Sequence, residues 1–274
     1  MSNQLHETAV QSAISTRWLA RSYHYLPTVG STNDRLKEMS AMGNDDEPPA
    51  GTVVLADFQS QGRGRLNRSW EAPPGTSLLL SVLFRPYWPA KQAHWLTMAA
   101  SLAAVEAIKK EANLTVGIKW PNDLMIFVVN EWRKAGGLLL EGSLSANGRL
   151  ESAILGIGMN VNIPQEQLPD ASTPATSLLV AGGRPIPRLA LLVSFLQRLE
   201  AHYEAAERGK SPQAAWVQRL ITLGQLVHVK HADSGQTLSG RAEGTDAWGR
   251  LLLRDRTGQL HTIATGDVTL RDRE

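Results

Sequence analysis

The segment Gln59-Ser60-Gln61-Gly62-Arg63-Gly64-Arg65-Leu66-Asn67-Arg68-Ser69-Trp70 combines three arginines, two glycines and a tryptophan. Arginine carries a permanent charge and a planar set of donors that fits phosphate or carboxylate. Glycine lets backbone N–H groups turn toward an anion, and tryptophan offers a flat face to a ring. We interpret the segment as a loop that binds an anionic ligand; the simpler alternative is a solvated basic turn.

Length, composition and charge narrow the class of protein. The chain has 274 residues, 42% of them hydrophobic, which suffices for one large domain or two smaller ones. The net charge is only +2, so the chain is not a polycation that coats nucleic acid. Without cysteine it has no disulfide, thiol nucleophile or thiolate metal site. No apolar run approaches the roughly 20 residues that span a bilayer, and no signal sequence is present, which predicts a cytoplasmic protein without membrane contact.

Polar side chains recur where apolar strands end. The apolar runs Thr52–Ala56 and Leu78–Phe84 are interpreted as buried strands, and the first leads into the arginine-rich loop. Loops that converge on one sheet are how an open-sheet protein builds a ligand pocket. The polar segments at strand ends are Ser31–Asn33, Gln59–Trp70, Lys119–Asp123, Lys134 and Gly156–Asn160.

The residue types in these segments favour electrostatic handling of a polyanion. Permanent cations are abundant, and the sequence has no Ser–His–Asp signature for proton-relay hydrolysis. A conventional NTPase or dinucleotide site is disfavoured, because GxxxxGK[ST] is absent and Asn67 replaces the third glycine of GxGxxG. Lys119 and Asp123 flank a turn between two predicted strands, where a functional role is favoured over a local ion pair.

Hydrophobic periodicity predicts the remaining elements of the first domain. One short helix is expected over Gln4–Ala20, a core helix over Ala93–Lys110 and an amphipathic helix over Leu189–Ala206. A hairpin is expected over Phe127–Glu141, with Asn130–Trp132 at its tip.

The composition changes at Gly224. From there to Arg271, short alternating apolar segments are separated by glycine turns at intervals near ten residues. This spacing predicts a small β-barrel of about five strands.

The polar segments, in their order along the chain, resemble the successive motifs of biotin protein ligases. The matching segments are Ser31–Asn33, Gly62–Trp70, Lys119–Asp123, Lys134–Glu141, Gly156–Val161 and Thr176–Leu178. Any one of these motifs is weak evidence, but several in order, with Lys-Trp-Pro-Asn-Asp among them, are specific. The resemblance extends over most of the chain.

The resemblance implies an α+β fold. It implies a mixed-sheet catalytic domain of the class II synthetase and biotin ligase type, followed by a small SH3-like β-barrel. The biotin- and ATP-binding domain would span residues 1–222, with 1–22 as a short helical extension, and the barrel residues 223–274. Many members of the family also carry an N-terminal DNA-binding domain. Residues 1–22 are too short for one, which predicts a monofunctional enzyme that does not bind DNA.

The resemblance also implies a two-step reaction. The biotin carboxylate attacks the α-phosphate of ATP to form biotinyl-5′-AMP and pyrophosphate. A lysine of a biotin carboxyl carrier protein, or of the carrier domain of a biotin-dependent carboxylase, then attacks the mixed anhydride. Mg²⁺ is expected through the ATP phosphates, and no direct metal motif is present. A homodimer is possible by analogy with some relatives.

The family motifs carry residue roles onto this sequence. The residues implied for biotin are Ser31, Thr32, Asn33, Gln59, Arg63, Gly64, Arg65, Lys134 and Gly156. The residues implied for the nucleotide are Trp70, Asn122, Asp123 and Asn160. The residues implied for catalysis are Arg65, Lys119 and Lys134.

Two other functions remain open at this point. A lipoate–protein ligase would share the fold and the adenylate chemistry, although the arginine loop with Lys-Trp-Pro-Asn-Asp matches the biotin pattern better. A non-catalytic biotin-binding regulator is the other alternative, and the presence of Arg65, Lys119 and Lys134 argues against it. Two departures from the family pattern are Asn67, where glycine is usual, and the long segment between Asp123 and Lys134.

Overall fold

The computed structural model describes residues 5–41, 47–171, 173–231 and 237–270. Its larger sheet has the strand order β1-β2-β3-β7-β6-β5-β4. The strands are β1 (Tyr23–Val29), β2 (Val53–Gln59), β3 (Ser77–Phe84), β4 (Val116–Lys119), β5 (Asp123–Val128), β6 (Glu131–Leu144) and β7 (Leu150–Asn160). The pair β1–β2 is parallel and the other neighbours are antiparallel, so the sheet is mixed.

Six α-helices accompany this sheet in the described part of the chain. They are α1 (Glu7–Ala13), α2 (Thr32–Ser40), α3 (His94–Ala112), α4 (Leu178–Gly182), α5 (Arg188–Glu207) and α6 (Gln213–Val217). None of them is long and apolar enough to cross a membrane.

A second sheet of five antiparallel strands follows, in the order β11-β10-β9-β8-β12. Its strands are β8 (Leu226–His231), β9 (Thr237–Thr245), β10 (Leu251–Asp255), β11 (Leu260–Ile263) and β12 (Gly266–Leu270). The predicted α+β fold with a small C-terminal β-domain is therefore confirmed. The predicted boundary between residues 222 and 223 stays a prediction.

The central strands are covered on both faces. All eight residues of β3 are buried, in agreement with the continuous apolar run that its sequence shows. Helix α2 packs against β2, β3 and β7, while α5 contacts β3 and lies against α3. A strand covered by helices on both sides has no face for polar residues, which explains the absence of apolar–polar alternation.

Helix α3 is buried more completely than its apolar stripe predicts. Fourteen of its nineteen residues are buried, because it lies between the large sheet and α5. Alanines at many of these positions let neighbouring elements approach closely. The helix ends at Asn113, whose φ of 56° is left-handed, a conformation that asparagine tolerates better than most residues.

The prediction of one helix over Gln4–Ala20 was too long, and Gln4 lies outside the described residues. Helix α1 covers only Glu7–Ala13, and the chain after Ile14 is irregular. The carboxylate of Glu200 on α5 competes with helical hydrogen bonding there, since it accepts the backbone N–H groups of Arg17, Trp18 and Leu19 at 2.9–3.0 Å.

The hairpin between β5 and β6 is confirmed, but two residues of its predicted tip, Glu131 and Trp132, belong to the ladder. Trp132 pairs with Phe127 inside the ladder, and the turn lies at Val129 and Asn130, which both have positive φ. The two aromatic rings lie 5.2 Å apart, so their contact holds Trp132 in the strand.

The two sheets join beneath Trp120, which is almost fully buried. Its indole Nε1 donates to the Gly249 carbonyl oxygen at 2.9 Å, and its backbone N–H donates to Thr222 Oγ1 at 2.9 Å. A Cβ at Gly249 would lie 2.2 Å from Met98 Cε, and φ is +82° there, so only glycine fits this junction.

We expect Glu200→Gln to lower the free energy of unfolding by about 1–2 kcal/mol at pH 7, because charge-assisted hydrogen bonds become neutral ones. Burial opposes ionisation of Glu200, but the three backbone donors and the Arg17 charge outweigh it and lower its pKa. The ionised Glu200 therefore makes its full contribution to stability when the pH is above 4.5, the usual pKa of a glutamate. This contribution is lost as the pH falls through the lowered pKa.

Urea unfolding of the two proteins from pH 7 to pH 3 measures this effect. The difference between them should shrink toward acid pH, whereas Glu151→Gln, at an exposed position on β7, should show little difference at any pH. A difference between wild type and Glu200→Gln that does not change with pH would contradict the assigned role.

Candidate active site

A cavity of about 290 Å³ lies over one face of the large sheet, beneath the loop that follows β2. The structure brings into its wall every residue that the sequence analysis assigned to a site, except Lys119. These residues are Ser31, Thr32, Asn33, Gln59, Arg63, Gly64, Arg65, Trp70, Asn122, Asp123, Lys134, Gly156 and Asn160. They come from five separate segments of the chain, which the sheet places side by side.

Two glycines of β7 form the floor of the cavity. A Cβ at Gly156 would lie 2.5 Å from Asn33 Oδ1, and a Cβ at Gly158 would lie 2.6 Å from Trp70 Cε2. Side chains at either position would displace α2 or the Trp70 indole from the sheet. Glycine inside an otherwise buried strand is thus explained by close approach of two functional groups.

A polar network closes the end of the cavity next to α2. Ser31 caps α2, its side chain accepting the backbone N–H of Asp34. The backbone N–H and the hydroxyl of Thr32 both donate to Gln59 Oε1, at 2.8 and 3.0 Å. Ser81 Oγ donates to Asn33 Oδ1 at 2.5 Å. These bonds fix the amide orientations of Gln59 and Asn33 before any ligand binds.

Arg63 is held by two carboxylates at the same end. Its guanidinium donates to Asp34 Oδ1 at 2.5 Å and to Glu141 Oε2 at 3.0 Å. Glu141 also accepts from Lys37 Nζ and Asn33 Nδ2, each at 2.6 Å. Burial raises the pKa of Glu141, but these donors and the Lys37 and Arg63 charges lower it further, so the carboxylate is ionised at neutral pH. The sequence analysis quoted Glu141 within a motif without assigning it this contact.

Arg65 connects the two sheets across the cavity. Its Nη1 donates to Asn122 Oδ1 at 3.0 Å, and its Nη2 donates to the Gly266 carbonyl oxygen at 3.1 Å. Asn122 is itself held by the Leu138 carbonyl oxygen, to which its Nδ2 donates at 2.6 Å. Burial lowers the pKa of Arg65 and Asp123 opposes the shift, but a guanidinium stays charged at neutral pH.

Lys134 and Asp123 form an ion pair of 2.7 Å in the cavity wall. The Lys134 ammonium also lies 5.8 Å from the centre of the Trp70 ring, within the range of a cation–π contact. Lys134 belongs to β6, so the long hairpin does not move it away from the site.

The structure does not place Lys119 at the cavity surface. The residue is only 6% exposed, and its Nζ donates to Oγ1 of Thr173 at 3.2 Å, so Lys119 adjoins the cavity wall through Thr173. Burial lowers the pKa of Lys119, while the Asp123 and Asp267 charges oppose this shift. The sequence could not show on which side of the turn the Lys119 side chain lies, because a side chain at a strand end can point to either side.

Two buried polar atoms in the cavity wall have no hydrogen-bond partner within the described residues. They are Trp70 Nε1 and Asn160 Oδ1. Asn160 is oriented by its Nδ2, which donates to the Thr176 carbonyl oxygen at 3.1 Å. Unpaired buried polar groups cost free energy, so these atoms mark positions where a polar ligand would be stabilised.

The small C-terminal sheet contributes to the site, which the sequence analysis did not predict. Asp267 of β12 lies in the cavity wall and pairs with Arg68 of the loop. Alternating residues in β12 indicate a strand but carry no signal of contact with a loop far away in sequence. Five further residues line the cavity from a part of the chain that was expected only to be loop-rich: Pro169, Asp170, Ala171, Thr173 and Ala175.

The left-handed residue of the arginine loop is Leu66, with φ 56° and ψ 41°. The sequence analysis identified the next residue, Asn67, as a departure from the family pattern, because glycine is usual there. No group of histidine, aspartate and glutamate side chains suited to a metal ion occurs among the described residues.

Family models match two parts of the chain. The model of the biotin/lipoate A/B protein ligase family matches residues 25–160, which include most of the cavity wall. The model of the biotin protein ligase C-terminal domain matches residues 222–271, a range that contains the strands of the small sheet.

Individual relatives match over nearly the whole chain. The biotin–[acetyl-CoA-carboxylase] ligase of Mycobacterium tuberculosis is 33% identical over 255 residues, covering 90% of this chain and 88% of its own. The bifunctional ligase/repressor BirA of Bacillus subtilis is 30% identical over 270 residues, covering 97% and 79%. The biotin protein ligase of Aquifex aeolicus in complex with biotin and ATP matches with a TM-score of 0.72 and 28% identity, over 92% of this chain and 99% of its own.

These comparisons all indicate the same family, by sequence identity, by chain coverage, by fold and by the order of the two matched domains. This chain therefore belongs to the biotin protein ligase family.

Proposed function

We propose that this protein activates biotin with ATP to biotinyl-5′-AMP and transfers the biotinyl group to a lysine of a biotin carboxyl carrier domain. The arrangement of four groups in the cavity wall is the main observation that supports this proposal. The Arg65 guanidinium and the Lys134 ammonium converge with Trp70 and the unpaired Asn160 oxygen over the floor formed by the β7 glycines. Relatives named as biotin ligases and a relative named with bound biotin and ATP support the choice of substrates.

In the first step a biotin carboxylate oxygen bonds to the α-phosphorus of ATP, which enters as its magnesium complex. The bond from the α-phosphorus to the bridging oxygen breaks, and pyrophosphate leaves with its electron pair. Negative charge accumulates around the α-phosphate, where Arg65 and Lys134 supply fixed positive charge. Donors that are already oriented stabilise this transition state more than the ground state.

The two ends of the cavity suit the two substrates. The network of Thr32, Asn33 and Gln59 presents oriented amide and hydroxyl groups, which suit the urea group of biotin. The Trp70 indole and the free Asn160 oxygen suit the ring and the amino group of adenine, since an amide oxygen accepts from an N–H donor. Asn122 and Asp123 lie between these ends, next to the position of the phosphates.

In the second step the neutral amine of the carrier lysine attacks the carbonyl carbon of the mixed anhydride. The new C–N bond replaces the C–O bond to phosphate, AMP leaves and the amine loses a proton. The same cations stabilise the departing phosphate. The arginine loop over the cavity limits access of water, which would otherwise hydrolyse the adenylate. For Lys119 we propose a supporting role, since its contact with Thr173 positions the cavity wall.

A direct test is incubation of the protein with ATP, Mg²⁺ and a carrier domain, with either biotin or lipoate as the acid. Intact-mass measurement should show one biotinyl group added to the carrier lysine, and the lysine-to-arginine carrier should remain unlabelled. Clean transfer of lipoate without transfer of biotin would overturn the proposed substrate.

We expect Arg65→Gly to release biotinyl-AMP and to label bystander proteins. The substitution removes the hydrogen bonds to Asn122 and Gly266 that hold the loop over the cavity. Adenylate formation should also fall by about 10²–10³-fold, because Arg65 stabilises the transition state, so release is compared as the fraction of the adenylate formed. Chromatography measures the adenylate that is released into solution, and blotting measures the biotin that becomes attached to added serum albumin.

Arg256→Gly, at an exposed position in the turn between β10 and β11, is the control and should retain the selectivity of the wild type. Retention of the adenylate and unchanged selectivity in Arg65→Gly would contradict the role of Arg65 in closing the loop.

We expect Gly158→Ala to weaken ATP binding at least about tenfold while weakening biotin binding less. The added Cβ would lie 2.6 Å from the Trp70 indole and displace it from the floor. Gly244→Ala is the matched control, since a Cβ there meets no atom within 4 Å. Isothermal titration with each substrate measures the effect, and equal losses for biotin and ATP would contradict the placement of adenine at Trp70.

A further inference from the structure

Leu66 lies at the mouth of the cavity, between Arg65 and Arg68, and its side chain is 45% exposed. Single exposed apolar residues are common on protein surfaces, so exposure by itself requires no explanation. The backbone conformation of Leu66 does require an explanation. Its φ of 56° and ψ of 41° are left-handed, a conformation that costs an ordinary L-residue roughly 1–2 kcal/mol and costs glycine nothing.

Neither the backbone nor the core explains why this position holds leucine. Glycine or asparagine would adopt the same φ with less strain. Burial in the core would offset the strain, but nearly half of the side chain faces solvent. A strained residue that its own fold does not require indicates a contact made with another molecule.

The loop holds Leu66 in a fixed position. Before it, Arg65 is bonded to Asn122 and to the Gly266 carbonyl oxygen. After it, Arg68 pairs with Asp267. The backbone N–H of Gly64 donates to the Arg68 carbonyl oxygen at 2.7 Å and closes the turn between them. An apolar side chain held on a rigid support loses little conformational entropy when a partner covers it.

The charged groups beside Leu66 already have partners within the protein. Arg63 is bound by Asp34 and Glu141, and Arg68 is bound by Asp267. Replacing these ion pairs with contacts to an incoming molecule would require breaking them first. Unlike these arginines, the leucine side chain can contact a partner without loss of an existing ion pair.

The carrier domain is the molecule that must come to this rim, if the proposed function holds. Its acceptor lysine has to reach the mixed anhydride inside the cavity. A lysine side chain extends roughly 6 Å from its Cα, given bond lengths near 1.5 Å. The carrier backbone on either side of the lysine must therefore lie at the mouth, where Leu66 is exposed.

We propose that Leu66 is an apolar docking contact for the carrier residues that flank the acceptor lysine. The contact acts in the second half-reaction and not in the first. It selects carriers with an apolar side chain next to the lysine, because a polar one would lose its hydration against Leu66 without gaining a partner. The inference rests on the proposed function and adds a residue that recognises the protein substrate.

The test compares Leu66→Asn, Leu66→Met and wild type in the two half-reactions separately. Asparagine tolerates the left-handed backbone but removes the apolar contact, while methionine keeps an apolar side chain of similar size. Pyrophosphate release with biotin and ATP measures adenylate formation. Transfer from preformed biotinyl-AMP to the carrier domain measures the second step.

Leu66→Asn should raise the KM for the carrier about tenfold, with less than a twofold change in pyrophosphate release. Leu66→Met should restore most of the affinity. Leu260→Asn is the matched control, since Leu260 is also 45% exposed but lies on β11, away from the loop. It should leave both steps unchanged.

Three outcomes overturn the inference. An unchanged KM for the carrier would show that Leu66 does not contact it. A parallel fall in pyrophosphate release would show that Leu66 covers the adenylate instead. A rise in KM of the same size in Leu260→Asn would show a general effect of surface polarity. Failure of the wild type to label any carrier would instead refute the proposed function itself.

Discussion

The site depends on the absence of side chains at Gly156 and Gly158 in the middle of β7. Asn33 and the Trp70 indole occupy the space that Cβ atoms would fill there, so α2 and the arginine loop both rest directly on the sheet. Close packing in protein interiors leaves no room to accommodate a methyl group at either point. Two elements from different parts of the chain are thereby brought to one face of the sheet, where Asp123 and Lys134 also lie.

The cavity holds its positive charges in place before a substrate binds. Each arginine of the loop has a partner: Arg63 the carboxylates of Asp34 and Glu141, Arg65 an amide and a carbonyl oxygen, and Arg68 the carboxylate of Asp267. Oriented charges do not need to reorganise during the reaction, and electrostatic stabilisation of a transition state is most effective under that condition. The partners differ in kind: Arg63 and Arg68 contact carboxylates directly, whereas the direct partners of Arg65 are neutral oxygens.

Several features could be predicted because their signals are local. Apolar runs followed by polar segments predicted the strands of the sheet and the loops above them, and the family motifs predicted the residues that line the cavity. The position of Lys119 next to Thr173, outside the cavity wall, could not be predicted, because a turn residue can point to either of two sides and spacing does not distinguish them. One prediction of secondary structure was wrong for a physical reason. The N-terminal helix ends early because Glu200, far away in sequence, binds backbone N–H groups that a longer helix would use.

The sequence by itself determined the family, the mixed α+β fold and most of the residues around the cavity, because these depend on motif order and hydrophobic pattern. Only the tertiary structure decided which groups meet. The contact of Arg65 with Gly266 and the pairing of Arg68 with Asp267 join segments about 200 positions apart in sequence, where no local pattern carries information. The same holds for Leu66, because no local pattern predicted its left-handed backbone or its exposure between these two anchored arginines.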